Sequence, residues 1–498
     1  MAIRTISNIG GNFGSIATWV EGVVPTASDD IVATATSGPL TVNALYFCNS
    51  FNLTNYANTV TLANTLAVNG SITFSPTTTL TGAPYYISVK GTSTITTNGV
   101  AIPNLAFHGA ATVTLVGNAT VTGILSFPNA IITITINNNN LYIYGGVSQQ
   151  NGCVSQGTTT FVLAGTTSWN SINTDSLVYN PVVINSPSTV TIITRINIGK
   201  SLIWVSGTIV TTGATLYINN FGTPVTINIP SSVTWNSINM INGTITLLND
   251  LYTNALGVGT GGNPIINGFN IYNSGNFSAV NNYTCSGTTV IHLIGTGTWI
   301  TNSCCFNLKN NVIINTSGTI TMSGDINYST GTLTYISGTV IPPTTFTTYN
   351  TCTLNTAGIS WNNVNLLGNT ITLNSTLTVN NILYLGTFPS TTLTGSAGFN
   401  TNTLNIVAAG STINFKPGTT YNVSGYFSSV GTLANKIKFL ASSAYAYFNL
   451  LPTATQNVKY TSATNIDSSG GKRVNSLKGT LINTINWFAG RTNFFLQF

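Results

Sequence analysis

Apolar and polar residues alternate in short runs along most of the chain. Residues 370–373 (Thr-Ile-Thr-Leu) and 377–380 (Leu-Thr-Val-Asn) are typical of these runs. Such a period of two predicts short, half-buried β-strands, because successive side chains of a strand point to opposite faces. Asn-Gly and Ser-Gly pairs, such as Asn69-Gly70 and Ser206-Gly207, separate the runs and mark turns. Since helical periodicity is essentially missing, the pattern predicts an all-β protein.

A tryptophan motif written as Trp-Asn-Ser-Ile-Asn or a close variant recurs along this pattern. The intervals between successive tryptophans, Trp169, Trp235, Trp299 and Trp361, are about 65 residues. A second marker, Thr-Ile/Val-Thr, follows successive tryptophans by about 20 and about 9 residues in alternation. The full unit is therefore a double repeat of about 130 residues, and three such units would cover residues 39–425.

The repeat length favours a parallel β-solenoid, that is, a β-helix. With about 22 residues in each coil, three coils fill one 65-residue unit. A right-handed winding is expected from the handedness of parallel crossovers. A string of β-sandwich domains is the alternative, because strands and turns alone do not exclude it. We predict an N-terminal cap at 1–38, the solenoid at 39–425, and a β-rich C-terminal cap or docking domain at 426–498.

The composition leaves the fold prediction unchanged, but it limits the functional groups that the protein can use. Charged residues make up 4% of the chain, against about 25% in ordinary soluble domains, while 42% of the residues are hydrophobic. We see neither a secretory leader nor an apolar run of about 18 residues, so we expect no membrane span. The six cysteines have no Cys-x-x-Cys spacing, which predicts buried free thiols.

The most specific motif lies near the N-terminus, at residues 17–30 (ATWVEGVVPTASDD). It resembles the N-terminal segment of β-solenoid and β-helix proteins of bacterial surfaces and of phage and large-virus particles, over some 35 residues. The resemblance implies a β-helix in a virion or on a cell surface. The end of a solenoid exposes unpaired backbone groups that must be covered. We therefore predict that Trp19, Asp29 and Asp30 form a cap, with the two carboxylates as hydrogen-bond acceptors.

The C-terminal zone is basic and aromatic. Eight of the thirteen Lys and Arg residues lie after residue 415, and Lys436, Lys438, Lys472 and Arg473 are candidate contacts for an anionic partner. Large apolar side chains at the end either close the solenoid core or form a docking or oligomer contact. They are Trp487, Phe488, Phe494, Phe495 and Phe498.

Residues for catalysis are sparse. Hydrolysis of a polysaccharide typically uses two carboxylates about 5–9.5 Å apart, yet the acids outside the cap, which are Asp175, Asp250, Asp325 and Asp467, stand alone in the sequence. The two histidines, His108 and His292, lie in apolar alternating strands. We therefore predict no catalytic, metal or cofactor site.

These observations lead to a functional hypothesis. We expect a non-enzymatic virion structural protein, a fibre, spike or surface appendage subunit. It would form a homotrimer or another homo-oligomer, contact other virion proteins, with host glycans as a further candidate partner, and bind no nucleic acid. A cell-surface adhesin or extracellular filament protein is the first alternative. A glycan-degrading tailspike, with acids converging from several protomers, is the second.

Overall fold

The structure is a computed structural model that describes residues 1–109, 111–128, 133–150, 152–172, 176–211, 213–220, 222–259, 261–279, 284–301, 307–386 and 389–490. The chain is 60% strand and 1% helical, and its stacked parallel sheets form a β-solenoid of about 20 turns. The all-β solenoid prediction is confirmed. The β-sandwich alternative is wrong, because neighbouring strands pair in parallel, whereas sandwiches are built from antiparallel strands. The right-handed winding stays a prediction.

Most strands of the N-terminal half are short, and a 3-10 turn at Ile16–Thr18 follows the second of them. Numbered β1 to β31 in chain order, they are Ile3–Thr5, Gly11–Asn12, Asp30–Val32, Leu40–Val42, Tyr46–Cys48, Ser50–Leu53, Thr59–Leu62, Leu66–Val68, Ile72–Phe74, Thr79–Thr81, Ile87–Val89, Ser93–Thr96, Ala101–Ile102, Leu105–Phe107, Ala111–Val116, Ala119–Val121, Ile124–Phe127, Thr133–Asn137, Asn140–Ile143, Gly146–Gln149, Val154–Gln156, Thr160–Leu163, Thr167–Ser171, Leu177–Val178, Val182–Ile192, Arg195–Ile198, Ser201–Val210, Thr215–Asn219, Val225–Asn228, Thr234–Trp235 and Ser237–Leu247.

The C-terminal half contains more of the long strands. Numbered β32 to β59, they are Leu251–Val258, Pro264–Gly268, Ile271–Ala279, Thr284–Cys285, Ile291–Leu293, Gly297–Thr301, Asn307–Leu308, Val312–Ser323, Ile326–Tyr328, Gly331–Ile341, Thr345–Thr348, Cys352–Asn355, Ser360–Trp361, Asn363–Leu366, Thr370–Leu373, Leu377–Leu385, Ser390–Gly395, Phe399–Ile406, Thr412–Phe415, Thr420–Val430, Ile437–Ala441, Ala446–Leu450, Thr455–Lys459, Thr461–Thr464, Ile466–Asp467, Val474–Leu477, Leu481–Ile482 and Trp487–Gly490.

The chain divides into two compact units, Met1–Tyr252 and Thr253–Phe498. In the first unit, parallel pairing stacks one apolar residue of each coil on the equivalent residue of the next. All members of this column are buried, because the period-two pattern of each strand places them on the same face. The column runs through Leu66, Ile87, Leu105, Leu125, Val147, Trp169 and Ile192.

The second unit is built in the same way. Its buried column runs through Ile326, Phe346, Val364, Leu383, Leu404 and Phe427. From Val364 to Phe427, the residues directly before and after each column member are partly or fully exposed, so they form parallel rows on the surface. These surface rows position the candidate site described below.

The double repeat is visible in hydrogen bonds that recur about 130 residues apart. Asn180 Nδ2 donates to the Thr159 carbonyl over 3.0 Å, and Asn310 Nδ2 donates to the Thr289 carbonyl over 3.1 Å. Likewise Trp204 Nε1 and the Tyr335 hydroxyl each donate to the carbonyl of a glycine three residues later. The four marker tryptophans are all buried. At about 22 residues in each coil, the double repeat of about 130 residues corresponds to six coils of core, three for each 65-residue unit.

The domain boundaries proposed at 38/39 and 425/426 are crossed by strand pairing. Within the first 38 residues, β1 already pairs in parallel with β3, and β3 pairs with β6 beyond the boundary. At the other end, β51 (Thr420–Val430) spans residue 425, and it pairs with both β53 and β54. Strand pairing thus continues across each boundary within its own unit, and the assignment of the terminal segments as caps stays a prediction.

Candidate functional site

Trp19 lies in the core of the first coil. Its indole Nε1 donates to the Phe13 carbonyl over 2.8 Å, and the Phe13 ring packs edge-on against it at 5.0 Å. Phe13 in turn stacks on Tyr46 at 4.3 Å, which ties the N-terminal segment to a later strand. The tryptophan of the N-terminal motif therefore fills the interior at this end.

The Asp29 carboxylate holds the N-terminal segment together. It accepts hydrogen bonds from the Ala2 amide and from the amide and hydroxyl of Thr26, and it pairs with Arg4 Nε at 3.4 Å. The bond from the Thr26 amide, supported by the other donors, lowers the pKa of Asp29 to about 2. Asp30 accepts from Asn49 Nδ2 and from the Ser50 hydroxyl. Both carboxylates act as acceptors between successive segments of the first coils.

We expect Asp29→Asn to lower the free energy of unfolding by about 1–3 kcal/mol at neutral pH, because the amide replaces a charged acceptor of several hydrogen bonds. The pKa is lowered by folding, so the contribution of Asp29 is present above its ordinary pKa and is lost as the pH falls through about 2. Urea unfolding of both proteins from pH 7 to pH 2 tests this. The exposed Asp325→Asn serves as control, and a difference that does not shrink in acid would contradict the assignment.

The predicted C-terminal contact residues differ in burial. Trp487 is buried, its Nε1 donates to the Ser468 hydroxyl over 2.7 Å, and its ring lies 5.9 Å from Phe439. Phe488 is 52% exposed, with the Arg473 guanidinium 5.5 Å from its ring centroid. Trp487 therefore belongs to the core, and Phe488 to the surface. Phe494, Phe495 and Phe498 lie outside the described residues.

The four basic residues predicted to contact an anionic partner lie at two different places in the fold. Lys436 Nζ bonds to the Thr480 hydroxyl, and Lys438 is exposed on β52. Lys472 Nζ bonds to the Ala454 carbonyl, and Arg473 immediately precedes β57. Because β52 and β57 belong to different sheets, the two pairs line different surfaces.

Groups with acid–base or metal-binding chemistry do not cluster in the part of the chain that the structure describes, where no group of three or more His, Cys, Asp or Glu residues could hold a metal ion. The described cysteines, Cys48, Cys153, Cys285 and Cys352, are buried free thiols, and burial raises the pKa of Cys153 to about 12. His292 stacks on Tyr272 at 4.5 Å. Asp175, Cys304 and Cys305 lie outside the described residues.

A cleft of about 460 Å3 lies on the surface of the second unit. It crosses strands β42, β45 and β47, where parallel register aligns Thr347 with Asn365, Asn365 with Tyr384, and Tyr384 with Asn405. We call it the Tyr384 cleft. Its lining residues are Thr345, Asn363, Asn365, Leu367, Ile382, Tyr384 and Val407.

The two amides of the Tyr384 cleft are held by the protein through their nitrogen atoms. Asn363 Nδ2 donates to the Thr344 carbonyl over 3.0 Å, and Asn365 Nδ2 donates to the Thr347 hydroxyl over 3.1 Å. Among the described residues, none donates a hydrogen bond to either Oδ1 atom. The cleft therefore combines two anchored acceptors with the Tyr384 ring and aliphatic surface, and none of its lining side chains carries a charge.

Two further clefts provide a comparison. One of about 370 Å3, also in the second unit, contains part of an asparagine ladder, in which Asn422 donates to Asn400 and Asn449 donates to Asn422. The other, of about 410 Å3 in the first unit, is lined by Tyr179 and by the cation Lys200, together with polar side chains. The amides of the ladder bond mainly to one another, whereas those of the Tyr384 cleft leave their carbonyl oxygens available.

Sequence reasoning missed the Tyr384 cleft. The relevant signal is the recurrence of Asn365, Tyr384 and Asn405 at about 20 residues, one coil apart, each directly after a residue of the apolar column. That signal is readable only after the coil register is known.

Comparison with known proteins adds no identity. No protein-family profile matches the chain, and no curated protein or solved structure matches it either. Among the described residues, no helix is long and apolar enough to cross a membrane.

Proposed function

We propose that the protein is a non-enzymatic structural subunit of a virion surface appendage, a fibre or spike, that meets host glycans. The observation that carries this proposal is the stacking itself. In each unit, apolar columns continue from coil to coil with parallel pairing on either side. A solenoid of this kind supports a long surface from contacts between neighbouring coils alone. The virion location is the part of the proposal that extends the resemblance of residues 17–30 described in the sequence analysis.

The few charged residues support a structural role. Asp29 joins the first coils, Asp467 Oδ1 accepts from the Ser469 amide over 2.7 Å, and Lys472 bonds to a backbone carbonyl. Each of these groups is used to hold backbone in place. General acid–base catalysis would instead need a carboxylate positioned against a substrate.

A homotrimer is the assembly that we propose for such an appendage. The exposed Phe488 with Arg473 beside it offers an apolar and basic contact near the C-terminal end of the second unit. An exposed aromatic ring gains free energy when a partner covers it. The same surface could meet another virion protein.

The solution mass tests the assembly. We expect the purified protein to have about three times the 52.2 kDa mass of one chain, and Phe488→Ala to shift the mass towards the single chain. Closed particles in electron micrographs would agree with a subunit of fixed copy number. A monomeric wild-type protein would contradict the trimer, and open-ended filaments would favour an extracellular polymer.

Incubation with bacterial polysaccharides tests the absence of hydrolysis. We expect no change in polymer length, because the carboxylates of Asp29, Asp30 and Asp467 accept hydrogen bonds from the chain itself. Shortened chains would overturn the non-enzymatic assignment and favour a tailspike.

A further inference from the structure

We propose that the Tyr384 cleft binds a neutral glycan, a short stretch of uncharged hexose or N-acetylhexosamine units. This inference rests on the proposed function, since an appendage subunit that meets host glycans needs a site for them. It adds the place of contact and the chemical class of the ligand.

The first argument is the state of the amides. Anchoring through Nδ2 leaves the Oδ1 atoms of Asn363 and Asn365 as acceptors without a donor from the described residues. Sugar hydroxyls are donors suited to such oxygens. Because the nitrogen bonds already fix both side chains, little rotamer entropy remains to be lost on binding. The cleft is therefore preorganised for a ligand rich in hydroxyl groups.

The second argument is the apolar surface beside these acceptors. The Tyr384 ring lies between Asn365 and Asn405 in register, with Ile382 on the same strand and the half-exposed Val407 at the rim. Pyranose rings have one face of C–H groups that packs on aromatic and aliphatic carbon. A tyrosine supplies a large amphipathic contact at low entropic cost. The amide oxygens can therefore accept from the hydroxyl groups of a sugar while the tyrosine ring packs on its C–H face.

The third argument concerns charge. A carboxylated or sulfated sugar entering the cleft would lose hydration without meeting a cation, which is unfavourable. The first-unit cleft, which contains Lys200, differs on this point. With about 460 Å3, the Tyr384 cleft is within the roughly 300–1,000 Å3 of small-ligand sites. The uncharged lining of the cleft therefore favours an uncharged ligand.

The full-length protein can be applied to an array of immobilised neutral and acidic oligosaccharides, and the ligands that are retained can be measured by calorimetry. We expect neutral members to bind. Tyr384→Ala should weaken the affinity at least about tenfold, and Tyr384→Phe only a few-fold, because the ring face remains. Asn365→Ala should weaken it about three- to tenfold through the lost acceptor.

Tyr447→Ala is the control, because Tyr447 is an exposed tyrosine of the second unit that does not line the cleft. It should leave binding unchanged. Circular dichroism melts must show that each variant is folded. Retention of acidic oligosaccharides only, no retention of any neutral one, or equal losses for Tyr384→Ala and Tyr447→Ala would each overturn the inference. The solution mass does not depend on Tyr384, so failure of the appendage proposal is recognised separately.

Discussion

Replacing Trp361 with alanine is expected to lower the free energy of unfolding by about 3–5 kcal/mol, the usual loss when a large aromatic core side chain is removed. Trp361 is fully buried, pairs through β44 with Val379, and packs 4.4 Å from the Phe346 ring. Its neighbours belong to strands of successive coils, which cannot close around a cavity without breaking their ladders. The lost volume therefore stays as a void.

Urea unfolding followed by circular dichroism measures this effect, with Phe269→Ala as a control because that ring is 52% exposed in the same unit. Trp361→Phe sharpens the test. The indole Nε1 of Trp361 is buried without a hydrogen-bond partner among the described residues, so phenylalanine also removes an unsatisfied donor and should cost much less than alanine. Equal losses for Trp361→Ala and Phe269→Ala would contradict the core assignment.

Gly287→Ala should destabilise the protein by about 2–4 kcal/mol, which combines a strained backbone with a steric clash. Gly287 has φ +125°, where side chains other than glycine are strained. A Cβ atom there would lie against the Ile266 carbonyl oxygen of the preceding coil, well inside van der Waals contact. Gly157, one double repeat earlier, has φ +123° and meets the Ile136 carbonyl in the same way. Each glycine lets one coil sit close on the coil before it.

The matched control is Gly418→Ala. Gly418 also has a positive φ, +75°, but nothing lies within 4 Å of the added Cβ. It should lose only about 1 kcal/mol, for the backbone conformation. The difference between the denaturation midpoints of the two variants measures the destabilisation that the clash adds to the backbone strain. If Gly287→Ala is no worse than Gly418→Ala, close coil stacking is not what requires glycine at this turn.

The repeat class and core were predictable from the sequence because both depend on local regularities. Alternation selects strands, and the spacing of Trp169 and its equivalents gives the number of residues that return the chain to the same interior position. The boundary placed at 425/426 followed a change in charge. Charge acts at the surface, whereas the interior continues through Phe427, Phe439 and Phe448, whose rings lie within 6 Å of one another. A change of surface composition therefore need not coincide with a change of fold.

The Tyr384 cleft could not be predicted, because its neighbours are set by how coils align. In β47 the pairing shifts between Val379 and Ile382, and a shift of one residue would send Tyr384 to the interior. Similarly, the sequence grouped Lys436 with Lys472 by charge alone, although the strands that follow them, β52 and β57, belong to different sheets. Which side chains of neighbouring coils become neighbours therefore depends on the strand register, and the register cannot be read from the composition.

The in-register columns have a consequence for how such a protein can change. Each position on the surface has two coordinates, its place along a strand and the coil that carries it, and one step between coils is about 4.8 Å. A duplication or loss of one whole coil would keep every column in phase, whereas an insertion of one residue within a strand would exchange inside and outside. Evolution can therefore lengthen this scaffold or rewrite one row of its surface, such as that of Asn365, Tyr384 and Asn405, without redesigning the interior.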